Sequence, residues 1–270
     1  MSRVPGGESS GGRAGSAYPR RRHFPSTARR AAIALLAVAL GAGALGAARG
    51  GAGDAEARLR AAEAARMPFD EGRVELRIGL ARDEGVEWSG TIDLYVERPS
   101  RALAIFRSGR QRGRRVLGVG GEVWLLVPGA RNPLAVSGHQ RLAGTASLAD
   151  LAGPPLSALY DVAVREDDPD ALELTARPGT PAPYAAATLW LDPDSGLPRR
   201  AVFRLPSGKE ARAVRFTAFR DHDGSPVVER MELEDLLGRR ERTAVLEFLS
   251  YTPEPVPDAW LTLEGARSAP

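Results

Sequence analysis

From Arg73 to Leu80 the chain alternates: Val74, Leu76, Ile78 and Leu80 are apolar, while Arg73, Glu75 and Arg77 are charged. That period of two is the signature of a strand with one face buried and one face in water. Ile92, Leu94 and Val96 repeat it within "EWSGTIDLYVERP". The stretch "GEVWLLVPGARNPLAVSG", Gly121 to Gly138, breaks it, because Val123, Trp124, Leu125, Leu126 and Val127 are apolar on both faces. Parts of "RALAIF" and "TAVLEFL" do the same. A strand of this kind needs a cover on each side, and the cover expected for the second face is a lid of short helices.

Between these runs the breaks are short. Gly120-Gly121 makes a tight turn, and Pro193-Asp194-Ser195-Gly196, Pro206-Ser207-Gly208 and Asp221-His222-Asp223-Gly224 punctuate the second half. Connections of this length join antiparallel neighbours, since a parallel crossover needs a dozen residues or more. The runs number about eleven strands, too many for a strongly twisted open sheet to stay flat. The fold class expected is therefore mostly β: a curved antiparallel sheet, or half-barrel, with short helices over its concave face.

Two segments interrupt the strands. In "DAEARLRAAEAARM" Asp54 can cap a helix whose thin apolar stripe is Ala55, Leu59 and Ala62. "SGHQRLAGTASLADLAGPPLSAL" is rich in Gly, Ala and Ser, with Ser147 placed to cap a short "LADL" helix. Its anchors Leu148, Leu151, Leu156 and Leu159 make it a lid rather than a linker.

Charge changes the picture mainly at the N-terminus. The chain has 37 Lys and Arg against 34 Asp and Glu, but residues 1–48 hold seven of the Arg and the single acid Glu8. The remainder, 30 against 33, is mildly acidic, which removes the support for nucleic-acid binding. Arg29 and Arg30 precede "AAIALLAVALGAGALGAA", the layout of a secretory signal. Cleavage is expected between Ala44 and Ala48, leaving 49–270 as one domain; the alternative is an uncleaved N-terminal anchor. "RRRHF" stands apart from the apolar run, separated by Pro25 and further residues, so the general secretory route is favoured over the twin-arginine one. The absence of cysteine means that an exported product is held by its core without disulfides.

Candidate chemistry is sparse. His139 lies in the lid segment and His222 in "DHDG", with no metal-ligand spacing, and "DDPD" and "DHDG" lack the twelve-residue loop of a calcium site. "GVGG" has no helix after it to aim amides at a phosphate, and there is no G-x-S-x-G elbow. No enzyme, metal or cofactor is expected.

The segment "EVWLLVPGARNPLAVSGHQRLAG" followed by "SLADL" resembles the outer membrane lipoprotein-sorting proteins related to LolA, and so do the hairpin series "YAAATLWLDPDSGLPRRAVFRLPSGKEARAVRFTAF" and the closing strands "VVERMELEDLLGRRERTAVLEFLSYTPEPVPDAWLT". The resemblance implies a half-barrel enclosing an apolar pocket for acyl chains, and a periplasmic carrier that takes lipid or lipoprotein from an inner-membrane transporter to an outer-membrane acceptor. The alternative is a lipid-sensing or exporter-accessory subunit of the same fold. The basic, glycine-rich stretch after the Pro-Gly turn is thinned to Arg131, His139 and Arg141, which leaves the cargo open between a lipoprotein and another lipid.

Strand parity assigns the pocket wall to Leu76, Ile78, Leu94, Val96, Ile105 and Leu125 in the first half. Val127, Leu189, Leu191, Phe203, Leu246 and Phe248 continue it, with Leu148, Leu151, Leu156 and Leu159 as the lid. A slip of one residue would exchange the set for its neighbours. If Leu125 faces a cavity, Leu125→Glu is expected to abolish lipid binding while circular dichroism still reports a folded domain; if it faces a filled core, the domain unfolds.

Overall fold

The computed structural model describes residues 52–136, 141–143, 146–147, 150, 153–238 and 243–270. The chain divides into a unit Met1–Ala47 and a unit Ala48–Pro270; every described residue lies in the second. No helix among the described residues is long and apolar enough to cross a membrane.

One helix, α1 (Ala52–Arg66), precedes the strands β1 (Glu71–Arg82), β2 (Gly85–Glu97), β3 (Arg101–Phe106), β4 (Arg115–Val119), β5 (Glu122–Leu126) and β6 (Leu134–Val136). Two short strands, β7 (Arg141–Ala143) and β8 (Ala146–Ser147), and a helical turn Leu156–Leu159 follow. The second half contains β9 (Tyr160–Val164), β10 (Ala171–Ala176), β11 (Ala186–Leu191), β12 (Pro198–Arg204), β13 (Glu210–His222), β14 (Ser225–Asp235) and β15 (Thr243–Thr252). Thirteen strands form one antiparallel sheet in the order β6-β5-β4-β3-β2-β1-β15-β14-β13-β12-β11-β10-β9. Each half is a meander, and the first and last strands pair to join them, Ile78 lying opposite Leu246. The sheet does not close on itself; β6 and β9 are its edges.

The expected architecture of a curved, mostly β half-barrel holds, with more strands than the alternation suggested. The three-residue β6 is too short to carry a period, and β7 and β8 pair as a separate ribbon within the segment read as a helical lid. Asp54 sits in the first turn of α1, inside the helix rather than at its cap. Curvature has a visible source in breaks of register between Glu75 and Leu76, Ile78 and Gly79, Trp190 and Leu191, and Phe203 and Arg204. Each such irregularity bends a strand and increases its local twist. Gly120 and Gly121 form the two-residue turn between β4 and β5 with φ of 60° and 93°, the left-handed pair that such a hairpin demands.

The two faces have different covers. On the inner face, Ala55, Leu59, Ala62 and Ala65 of α1 are buried, and the first three join one large core with Val74, Leu76, Ile78, Leu94, Leu246 and Phe248. On the outer face, Tyr95, Leu103, Ile105, Leu117 and Leu126 pack against Val256, Leu261, Ala266 and Ala269 of the C-terminal segment. The rings of Tyr95 and Trp260 meet edge to face at 5.2 Å.

This accounts for the doubly apolar strands. In β3, Ala102, Ala104 and Phe106 point to the inner core, and Leu103 and Ile105 to the outer one. In β5, Val123 and Leu125 pack inward, and Trp124 and Leu126 outward. The cover of the second face is thus the chain's own C-terminal segment, where a lid was expected. Polar bonds fasten it: the Val256 amide donates to the Glu71 carboxylate at 2.6 Å, Asp258 pairs with Arg101 at 2.6 Å, and Arg115 donates to the Ala269 carbonyl at 2.9 Å. Leu261→Ala, which empties the centre of this outer cluster, is expected to lower the unfolding free energy by about 2–3 kcal/mol in a urea titration.

Candidate functional site: an apolar cavity under the helix

The inner face is wider than α1, and a cavity of about 640 Å³ opens beside the helix. Its apolar wall includes Leu59, Ala62 and Met67 from α1 and the residue after it, Val96 at the end of β2, and Leu189, Ala201, Phe203, Val214, Met231 and Leu233 from β11 to β14. The rim is formed by the β2–β3 turn (Pro99, Ser100), the β4–β5 turn (Gly121), Pro154, Pro155, Leu156 and Leu159, and the loop with Pro181, Pro183 and Tyr184. Proline and turn residues give a stiff rim around a mostly hydrocarbon interior.

Of the residues expected to line a pocket, Val96, Leu189 and Phe203 do so, and Leu156 and Leu159 lie at its rim. Leu76, Ile78, Leu94, Leu191, Leu246 and Phe248 share the inner face but are sealed in filled core, at most 3% exposed. Two positions are corrected. Ile105 faces outward under the C-terminal segment, because β3 has opposite parity to the one assumed. Val127 lies past the end of β5 and borders a separate cleft. Leu125 packs half-buried against the inner core and is not part of the cavity wall, so its replacement by Glu acts on packing first. Leu148, Leu151 and His139 lie outside the described residues. His222 ends β13, half-buried, with its ring 5.9 Å from that of Tyr251.

The wall also holds a polar cluster that pattern reading missed. Arg212 pairs with Asp150 at 2.7 Å, with the side chains 9% and 11% exposed. The Asp150 carboxylate accepts from the Ser147 amide and hydroxyl, both at 2.6 Å, and the Asp150 carbonyl accepts from Arg66. Tyr184 is hydrogen-bonded to Arg212. Across the cavity rim, Glu63 of α1 accepts from the Ser157 amide at 2.9 Å and hydroxyl at 2.7 Å, holding the helical turn Leu156–Leu159 to the helix.

Burial pulls the Arg66 guanidinium below its usual range, and the charge of Asp150 opposes that shift. Burial pushes the phenols of Tyr184 and Tyr160 upward; the Tyr160 hydroxyl donates to the Tyr184 carbonyl at 3.1 Å, and the Tyr184 phenol oxygen accepts from Arg212. The arrangement clamps the segment carrying Ser147, Asp150 and Ser157 to both α1 and the sheet.

A buried ion pair contributes little against a well-packed apolar replacement, whereas removing one partner is costly. Asp150→Asn is therefore expected to destabilise the domain by about 3 kcal/mol in a thermal or urea melt, and the double change Asp150→Leu with Arg212→Met to recover most of that loss.

Known structures share this architecture. A LolA superfamily protein from Nitrosomonas europaea superimposes with a TM-score of 0.67 at 23% identity, covering 78% of this chain and 98% of that one. A DUF1329 family protein from Desulfovibrio piger gives 0.62 at 17% identity, with 79% and 96% covered. A putative outer membrane lipoprotein-sorting protein domain from Vibrio parahaemolyticus gives 0.62 at 13% identity, with 81% and 100% covered. The chain thus shares the fold of these three proteins. No curated protein matches the sequence. A family model described as "Uncharacterized protein" matches residues 99–264, more than half of the chain, and the chain belongs to that family.

Proposed function

We propose that the protein is an exported carrier that holds a lipid acyl chain in the cavity beside α1. The observation that carries this reading is the cavity itself: about 640 Å³, walled mainly by aliphatic and aromatic side chains, in a fold shared with an outer membrane lipoprotein-sorting domain. Its size falls in the range of roughly 300–1,000 Å³ typical of small-molecule pockets. Each methylene taken from water contributes about 0.8 kcal/mol, so a chain of modest length binds firmly without any polar contact. Release then needs an acceptor that is more apolar or more accessible, and no chemical step. The role is binding rather than catalysis.

In this reading residues 1–48 are a secretory signal, removed between Ala44 and Ala48, and 49–270 work in the periplasm as one domain. Lipoprotein sorting from an inner-membrane transporter to an outer-membrane acceptor is the pathway that best suits such a carrier. The polar clamp of Arg212, Asp150, Glu63 and Ser157 keeps the rim in place while the cavity is loaded.

Ala201 is a small residue in the wall, 3% exposed. Ala201→Trp projects bulk into the cavity that this residue borders, so it is expected to weaken binding of a fluorescent fatty acid by about tenfold or more while the unfolding free energy from a urea titration falls by only about 1–3 kcal/mol. Unchanged affinity in a folded variant would place the acyl site elsewhere.

A further inference from the structure

At the end of β3 and β4 opposite the cavity rim, residues 107–115 contain Arg107, Arg110, Arg112, Arg114 and Arg115 with no acidic residue among them. The β5–β6 connection, residues 127–133, emerges at the same end, since Arg115 lies opposite Leu126 and Leu125 opposite Leu134 across adjacent strands. It adds Arg131. Arg267 of the C-terminal segment completes the group by donating to the carbonyls of Ala130 and Arg131, the first at 3.2 Å.

Along much of the sheet surface arginines face acids: Arg77 with Glu247, Arg82 with Glu87, Arg177 with Asp161 and Arg215 with Glu232. At this end the pairing stops. Arg107 is matched by Asp93 at 2.7 Å, but Arg110, Arg112, Arg114 and Arg131 form no ion pair among the described residues. Among the described residues Arg115 and Arg267 bond only to backbone carbonyls, which fix the guanidinium without cancelling its charge. Both border a cleft of about 230 Å³ together with Leu126 and Pro128. Arg110, Arg112, Arg131 and Arg267 are exposed.

The charges are held on a fixed frame. Gly109 has φ of 74°, and a side chain there would come within 1.8 Å of the Ser89 carbonyl oxygen, so only glycine fits. The Thr91 amide donates to the Ser108 hydroxyl at 2.9 Å, and the Arg107 amide to the Thr91 carbonyl at 2.8 Å. Leu134, 54% exposed, adds an apolar side chain at the same end. Neither loop carries an aromatic residue on which a nucleobase could stack.

We propose that this arginine end is a docking surface for a bilayer rich in anionic phospholipid. Guanidinium groups match phosphate in geometry and charge, and basic residues close to an anionic leaflet gain attraction that decays within a Debye length. The surface lies away from the cavity rim, so docking leaves the rim free for cargo. The inference stands on the charge pattern and does not depend on what fills the cavity.

The test uses the unit Ala48–Pro270, which encloses the whole described core, in co-sedimentation with vesicles of phosphatidylcholine alone and of an equal mixture with phosphatidylglycerol. Partitioning onto the mixed vesicles is expected to exceed that onto phosphatidylcholine by about tenfold or more and to fall as salt is added. The loop variant R110E/R112E should lose about tenfold or more in partitioning with an unchanged circular dichroism spectrum, while Ala201→Trp keeps full vesicle binding. Equal partitioning onto the two vesicles, or a folded R110E/R112E variant that binds as the parent does, would overturn the proposal. So would displacement by millimolar inorganic phosphate, which would mark a site for the free anion.

Discussion

A sheet of thirteen strands about 4.8 Å apart is a ribbon about 60 Å wide, whereas a fifteen-residue helix is about 22 Å long and about 10 Å across. The inner face of that ribbon is apolar over most of its strands, and one helix cannot cover it. Curling brings the two halves of the face toward each other, and the bulges in β1, β11 and β12 supply the bend. What curling and α1 leave uncovered is the cavity. The rim residues, the helical turn and the polar clamp follow from the need to enclose apolar surface that no secondary-structure element reaches.

Much of this was legible in the chain itself. Strict alternation in β1 announced a one-sided strand, and Val74, Leu76 and Ile78 are indeed sealed inside. The doubly apolar runs in β3 and β5 were legible as strands with two covers. Periodicity counts the faces that must be buried but does not say what buries them. The covering segment, "VPDAWLTLEGARSAP", has no period of its own; its apolar residues are set by short 3₁₀ turns at Asp258–Leu261 and Gly265–Arg267. Parity failed at Ile105 for the same reason: with both faces apolar, nothing local distinguishes the inner from the outer.

The division between filled core and cavity was not legible at all. Leu189 and Leu191 stand on the same face of one strand, yet Leu189 borders the cavity and Leu191 does not. The difference lies in where α1 ends and where Pro181 and Tyr184 come over the sheet, both decided by contacts distant in sequence. Nothing in the chain marks Arg212 and Asp150 as partners, and only the fold brings them together. The lack of acidic partners around the arginines of residues 107–115 is a property of the folded surface.

The central claim is that the uncovered inner surface belongs to a ligand. Native mass spectrometry of residues 49–270 purified from a bacterial periplasm, followed by organic extraction, tests it most directly. A mass increment of one acyl-bearing lipid per protein, lost on extraction and absent from Ala201→Trp, is the result this account predicts. A stable, homogeneous protein at its bare polypeptide mass, which also takes up no lipid when incubated with a periplasmic extract, would contradict it.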